Sequence, residues 1–148
     1  MKQLNQVLLH QNSKVLDLEV WLENVGGKGL QKVLNTPEIT IPMVQEAGLR
    51  GLGGSGFPTY FKWKAIAEQT NSREKYLICN GNEDEPGTFK DRLLLEKTPH
   101  QLIEGAMIVA VATNINRIVF YINPDLTQAI ENMQKAVKQW EECELYFK

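Results

Sequence analysis

Two short apolar runs set the strongest constraint on how this chain folds. Residues 75–79 read KYLIC and residues 117–122 read RIVFYI. Both are rich in β-branched, aromatic or leucine side chains and have polar neighbours, as short buried strands do. Between them Thr88–Lys97 reads as helix. A longer helix then opens at Pro99 and runs from about His100 to Ala112. Proline suits the first helical position, where its missing N–H removes no hydrogen bond. After the second run, Asn123 reads as a cap and Pro124 as a helix start. Leu126, Ile130, Met133, Val137 and Trp140 share one face of that helix. A last short strand is expected near Glu144–Phe147. Strand, helix, strand and helix in succession imply parallel pairing through right-handed crossovers. The expectation is an α/β fold with a short parallel sheet and crossover helices. Ligands of such sheets lie beyond the carboxyl ends of the strands, here the loops after Cys79 and at Asn123.

The first half is more broken. VLDLEVWLENV reads as a short helix or an extended piece, and LQKVL as a helical turn or two beyond the Gly26-Gly27 break. Pro37 and Pro42 punctuate the next stretch, and MVQEAGL suggests a short helix stopped by Gly48.

Sixteen Lys and Arg against eighteen Asp and Glu leave a net charge of −2, with no basic block. That disfavours nucleic acid and anionic membrane as partners. A chain of 148 residues with 43% hydrophobic residues is long and apolar enough for one domain with a real core, expected over residues 1–148. The two cysteines, Cys79 and Cys143, make neither a disulfide framework nor a thiolate metal site, so a reducing compartment and no metal are expected. LIEGAMIVAVA, residues 102–112, is about half the length of a membrane-spanning helix and carries Glu104, so it reads as a core helix. The start, MKQLNQVLLHQN, has no signal-peptide core. A cytoplasmic location is expected, with peripheral attachment to a membrane complex left open.

Residues 50–59 read RGLGGSGFPT, with four glycines in six positions. Gly51, Gly53 and Gly56 fit G-x-G-x-x-G. The dinucleotide fingerprint, however, needs a strand before it and a helix opening at its end. The segment before this loop reads as helix, and Pro58 reads as a break in the segment after it. A P-loop is excluded, because no Gly-Lys-Ser/Thr ends the run. Glycine loses the most entropy on ordering. Its compensating use is close backbone approach, with N–H groups aimed at an anion or a flat polar ring. The bland alternative is a turn joining two elements. Phe57 beside it reads as core or as a stacking platform.

Residues 80–88 read NGNEDEPGT, with Glu83, Asp84 and Glu85 in a row beside Asn80 and Asn82. One reading is a solvated acidic turn ahead of a helix N-terminus. The other comes from its place after a strand. Carboxylates and amides there accept from ribityl or ribose hydroxyls and ring N–H groups, and suit a cationic ring better than a phosphate.

GLRGLGGSGFPTYFKW, KYLICNGNEDEPGTFKDRLLLE and TPHQLIEGAMI, taken in order, resemble the NADH-binding flavoprotein subunit of respiratory complex I and its relatives in NAD-linked hydrogenases and formate dehydrogenases. The resemblance spans roughly residues 14–140. It implies the N-terminal portion of an α/β flavin-binding domain. In that family a ubiquitin-like domain and a helical iron–sulfur domain come next. The chemistry implied is hydride transfer from NADH to FMN and electron passage to an iron–sulfur cluster. Carried over by position, Gly51, Gly53, Gly54 and Gly56 form the loop against flavin and dinucleotide. Phe57 stacks on adenine, Lys62 contacts the flavin side, and Asn80, Asn82, Glu83 and Asp84 face FMN. Glu85 lies near the nicotinamide and is the candidate catalytic residue.

The chain departs from the family pattern at several places. Leu52 stands where the family usually has Arg, Tyr60 where it has Gly, Ala65 where an aromatic is frequent, and Asn82 where it has Asp. The Gly-Glu-Glu motif of the second half-site and the cluster cysteines are absent. The expectation is therefore an incomplete FMN pocket, no ubiquitin-like or iron–sulfur domain, and no activity alone. A further polypeptide would supply the rest of the flavin site and the cluster. The alternative is a truncated, non-catalytic paralogue that acts as a nucleotide-binding or subunit-interaction module. His100, at a helix start, reads as a cap or a solvent contact, and His10 has no partner motif. Lys90, Asp91 and Arg92 read as an exposed helix start.

Overall fold

The computed structural model describes residues 14–70 and 74–143, together with Leu9. His10 and the strand expected at 144–147 lie outside the described residues. The chain begins with α1 (Leu18–Asn24) and α2 (Lys28–Asn35), followed by a single 3-10 turn over Pro37–Ile39 and by α3 (Thr40–Glu46). The Gly26-Gly27 break is an elbow between α1 and α2. Gly27 adopts φ +80°, and a Cβ on Gly26 would run into the Trp21 indole. Glycine at both positions is thus required by geometry. Pro42 is tolerated because it falls in the first turn of α3. Gly48, at φ +63°, ends that segment as read from sequence.

α4 (Thr59–Ala67) comes after the glycine loop. It corrects the reading of Pro58 as a break: Pro58 sits just ahead of the helix with φ −61° and ψ 120° and leads the chain into it. Next come β1 (Tyr76–Gly81), α5 (Lys90–Lys97), α6 (Pro99–Thr113), β2 (Arg117–Ile122) and α7 (Thr127–Glu141). The two strands pair in parallel, Tyr76 opposite Arg117 through Gly81 opposite Ile122. The α/β fold with a short parallel sheet and crossover helices is therefore observed. α5 begins two residues later than Thr88. α7 begins at Thr127 and not at Pro124: Asn123 Oδ1 accepts from Asp125 N at 3.0 Å and the Asn123 carbonyl from Leu126 N at 3.0 Å, so Asn123 caps a turn ahead of the helix.

α6 is the hub. It packs on α2, α4, α5, α7 and both strands. The inward side chains of the sheet are Leu77, Cys79 and Gly81 on β1 and Ile118, Phe120 and Ile122 on β2. A Cβ on Gly81 would approach Leu95 Cδ1 to 2.9 Å, so glycine there lets α5 close on the strand end. The core joins Leu18, Trp21, Leu30, Leu95, Ile103, Met133 and Trp140. The fully buried Leu30 and Trp140 each contribute roughly 2–3 kcal/mol of apolar burial. The buried stripe of α7 is rotated from the one read in the sequence. Ala129, Met133, Ala136 and Trp140 are innermost, while Ile130 and Val137 are only partly covered. Small alanines let α7 lie close against its neighbours.

Two buried polar residues also shape this core. Glu104 accepts from Trp21 Nε1 at 3.0 Å, from Gly27 N at 2.8 Å and from Leu30 N at 3.3 Å. One carboxylate on α6 thereby ties down the whole α1–α2 elbow. His100 is fully buried beside Trp140, with ring centroids 6.5 Å apart, which corrects the expectation of a cap or solvent contact. Pro99 starts the helix on the inside of the molecule and carries the next residue into the core.

Candidate functional site

The glycine loop is held at its base and open at its tip. Arg50 and Pro58 form an antiparallel bridge, Gly51 N donates to the Phe57 carbonyl at 2.9 Å, and Thr59 N donates to the Leu49 carbonyl at 2.9 Å. Arg50 Nη1 donates to the Gly56 carbonyl at 3.0 Å and braces the loop across its neck. Gly54 and Gly56 take φ +97° and +59°, where a side chain is strained. Cβ atoms built on Gly53, Gly54 and Gly56 would meet nothing within 4 Å. No packing need accounts for these glycines. They leave bare backbone facing open space, which a ligand can approach closely.

Phe57 closes the loop and is 44% exposed, so it is a surface platform and not a core residue. Lys62 Nζ sits 5.5 Å from the centre of its ring, a cation–π contact that draws the ammonium to the glycine side. Phe61 joins the cluster at 6.2 Å from Phe57, and Tyr60 stacks on Phe61 at 4.3 Å. Leu52, at 79% exposure, projects from the loop with no charge to offer an anion.

β1 keeps Asn80 and Gly81, two residues past the Cys79 end read from sequence, because both pair with β2, so the acidic loop opens at Asn82. Asn80 Oδ1 accepts from Asn82 N at 3.1 Å and fixes the turn. Glu83 has φ +49° and both carboxylate oxygens engaged: Oε1 accepts from Asp91 N at 2.7 Å and Oε2 from Arg92 N at 2.9 Å. It caps α5 from the preceding loop. Asp84 and Glu85 are exposed. The Glu85 carbonyl accepts from Thr88 N at 3.2 Å and Thr88 Oγ1 at 3.0 Å, with Gly87 at φ +81° allowing the turn. Phe89, 61% exposed, stands at the edge of this loop. Lys90 and Arg92 are exposed as read from sequence and Asp91 is partly covered. Lys90 Nζ donates to Asp91 Oδ2 at 2.7 Å, which raises the lysine pKa.

Lys75 relates the two loops. Its Nζ donates to the Ile66 carbonyl at 2.9 Å and the Thr113 carbonyl at 3.4 Å, so α4 and α6 both end where β1 starts. α4 and α6 also pack on each other. The glycine loop stands at the opposite, N-terminal end of α4, away from Lys75. The acidic loop leaves the far end of β1, the end at which α/β sheets bind ligands.

A cavity of about 210 Å³ lies under the end of β1, lined by Leu77, Cys79, Gly81, Leu95, Ala106 and Phe120 among others. Burial pushes the Cys79 thiol above its usual pKa, which favours the protonated form. Among the described residues no cluster of His, Cys, Asp and Glu is arranged to hold a metal, and no helix is long and apolar enough to cross a membrane.

Arg50 and Phe89 join the site without having stood out in the sequence. The signal for Arg50 is a single cation directly before the glycine run. For Phe89 it is an aromatic after a polar loop, which sequence alone does not separate from a core residue.

The sequence profile of the Nuo51 FMN-binding domain matches residues 44–146. The F subunit of the NADH-quinone oxidoreductase of Aquifex aeolicus is 38% identical over 138 residues, covering 92% of this chain and 32% of that protein. Its Escherichia coli counterpart is 37% identical over 132 residues, 85% of this chain and 30% of that protein. A solved NAD+-reducing NiFe hydrogenase in the H2-reduced state superposes with a TM-score of 0.72 and 30% identity, covering 90% of this chain and 24% of that one. The chain thus spans about a third or less of the relatives it matches. With sequence and backbone in agreement, the chain belongs to the Nuo51 FMN-binding domain family.

Proposed function

We propose that this chain forms one wall of an FMN- and NADH-binding cleft in an NADH dehydrogenase flavin module, and that it works with a further polypeptide. The observation that carries this reading is the open backbone at Gly53, Gly54 and Gly56, which no packing need explains. Family membership supports it. The donors and acceptors present suit a flavin nucleotide: main-chain N–H groups on one side, amide and carboxylate oxygens on the other. When bound, FMN supplies a ring that accepts hydride from NADH.

The chain's own residues position and discriminate. Gly51, Gly53, Gly54 and Gly56 bring backbone within contact distance of the nucleotides. Phe57 stacks on the adenine, and Lys62 adds positive charge on the flavin side. Asn80, Asn82 and Asp84 accept from ribityl hydroxyls and ring N–H groups. Glu83, its carboxylate committed to α5, holds that loop in shape on the FMN side. Glu85 stands by the nicotinamide, where its charge favours the oxidised, cationic ring and so assists hydride departure. The partner supplies the rest of the flavin site and the iron–sulfur acceptor. A cytoplasmic location, free or peripheral to a membrane complex, goes with this reading.

Fluorescence titration of the chain with FMN, and separately with NADH, tests it. Gly53→Val fills the open approach and should weaken FMN binding about tenfold or more, with the far-UV circular dichroism unchanged. Equal affinity of wild type and variant, or no binding of either nucleotide with or without partner subunits, would refute the reading.

A second reading has its own observation. Leu52, the most exposed large apolar residue of the loop, replaces a cation with a sticky side chain. That favours a non-catalytic interaction module. NADH-dependent reduction of an acceptor by flavin-loaded chain, with or without its partner, would exclude it.

A further inference from the structure

The glycine loop carries donors that the fold itself does not use. Gly51 N and Thr59 N close its base. Between them, none of the main-chain N–H groups of residues 52–57 donates to an acceptor among the described residues. Residues 51–55 are exposed. Gly54 and Gly56 have positive φ, whereas Gly53 and Ser55 do not. Such alternation is how successive N–H groups come to converge on an anion. One cation accompanies them: Arg50 is the only Lys or Arg between residues 33 and 61. Its Nη1 donates to the Gly56 carbonyl at 3.0 Å. A guanidinium has five N–H donors in a planar fork, and no ion pair among the described residues includes Arg50. The bond to Gly56 therefore fixes the guanidinium at the loop neck without neutralising its charge. The next cation along the chain, Lys62, is drawn to the Phe57 ring. Leu52, which projects from the same loop, brings no charge.

We propose that Arg50 is the specificity-determining residue of the loop, and that it reads the diphosphate of a dinucleotide together with the N–H groups of residues 53–56. Phosphate oxygens accept from a guanidinium fork and from backbone N–H groups at once, and these charge-assisted bonds are the strong ones. A lysine ammonium is a point charge and does not hold a carbonyl and a phosphate in one planar array, so arginine suits the double task. Position selects the diphosphate over the single phosphate of a flavin nucleotide. Phe57 ends the loop and is the adenine platform of the proposed function, so a nucleotide stacked there brings its phosphates to the loop. Asp84 and Glu85, exposed on the acidic loop, repel a phosphate placed on their side. The inference rests on that reading of Phe57 and deepens it: phosphate recognition falls to one side chain, in a chain whose Leu52 offers no second cation.

Amide-resolved NMR titrations of the full chain with ADP, adenosine, FMN, riboflavin and inorganic pyrophosphate test it. Wild type should bind ADP at least about tenfold more tightly than adenosine. Pyrophosphate alone should shift the amides of residues 52–57 saturably, and added salt should shrink both effects. Arg50→Gln should abolish the preference for ADP while adenosine affinity stays within about twofold of wild type. Adding Leu52→Arg to that variant returns a cation to the loop without the brace on Gly56, and should recover part of the preference. A residue that only braced the loop would lower ADP and adenosine affinity alike. Equal loss of the two would therefore overturn the proposal. So would no preference for ADP in wild type, no response to pyrophosphate, a preference that survives in Arg50→Gln, or no recovery in the double variant. An effect of Arg50→Gln on FMN relative to riboflavin, with ADP and adenosine unmoved, would assign the anion to the flavin and overturn it as well. NADH and FMN that bind wild type and Arg50→Gln equally would sink this inference alone and leave the proposed cleft standing. Failure of both to bind wild type would end both.

Discussion

At the scale of single residues, the core rests on a few polar and glycine positions with no slack. Glu104 gathers three donors from the α1–α2 elbow: the Trp21 indole, Gly27 N and Leu30 N. Gly26 lies under that indole so closely that a methyl group has no room. Gly26→Ala should therefore destabilise the chain by about 2–3 kcal/mol in urea unfolding, through displacement of Trp21 and its hydrogen bond. His100 adds a pH dependence. Burial lowers its pKa below 6.5, outweighing the Leu16 carbonyl and the Asp17 charge, which favour the protonated ring. The folded state therefore binds the proton less well than the unfolded chain. This contribution to stability is complete above pH 6.5 and is lost as pH falls from there toward the folded pKa. Unfolding midpoints measured across that range should decline, and His100→Phe should flatten the decline. A slope unchanged in the variant would place its source elsewhere. Neither Glu104 nor His100 was legible as a buried polar anchor in the sequence. A lone acid in an apolar helix and a histidine after a proline each look like surface groups until the fold turns them inward.

At the scale of elements, α5 shows how the acidic loop is built. The helix has no cap from the residue that precedes it, Phe89. Glu83 supplies one from the preceding turn, accepting from two N–H groups at once. Glu83→Gln keeps one oxygen acceptor, loses the charge facing the helix N-terminus, and should cost about 1–2 kcal/mol. The cost should be local. Hydrogen exchange at the Asp91 and Arg92 amides should quicken, while amides of α6 and β1 keep their rates. Uniform quickening across the molecule would contradict this division. The two strands and α6 were readable because their apolar runs are continuous and bounded by turn residues. α4 was not. Its sequence, TYFKWKAIA, has no apolar stripe, and Phe61 and Ile66 point outward at 52% and 42% exposure. The start of α7 was misplaced because an Asn-Pro pair signals a turn as well as it signals a cap. The candidate site was the more legible part. The glycine run and the carboxylate cluster are dense local features, and the fold places each on a loop that leads into a helix.

At the scale of the whole molecule, the two-stranded sheet has one face covered by α6 and one exposed face, and two chemically distinct loops flank it in sequence. The proposed function requires the glycine loop and the acidic loop to act together as a nucleotide-binding wall. Amide-resolved NMR of the full chain during titration with FMN and then NADH puts this to the test, because it detects weak binding by an incomplete site. Saturable shifts of the Gly51–Gly56 amides and of Asn80–Glu85 are expected in the same titration, with the α1–α2 elbow unmoved. Shifts confined to one loop, shifts centred elsewhere, or none up to the solubility of the nucleotides would overturn the shared wall.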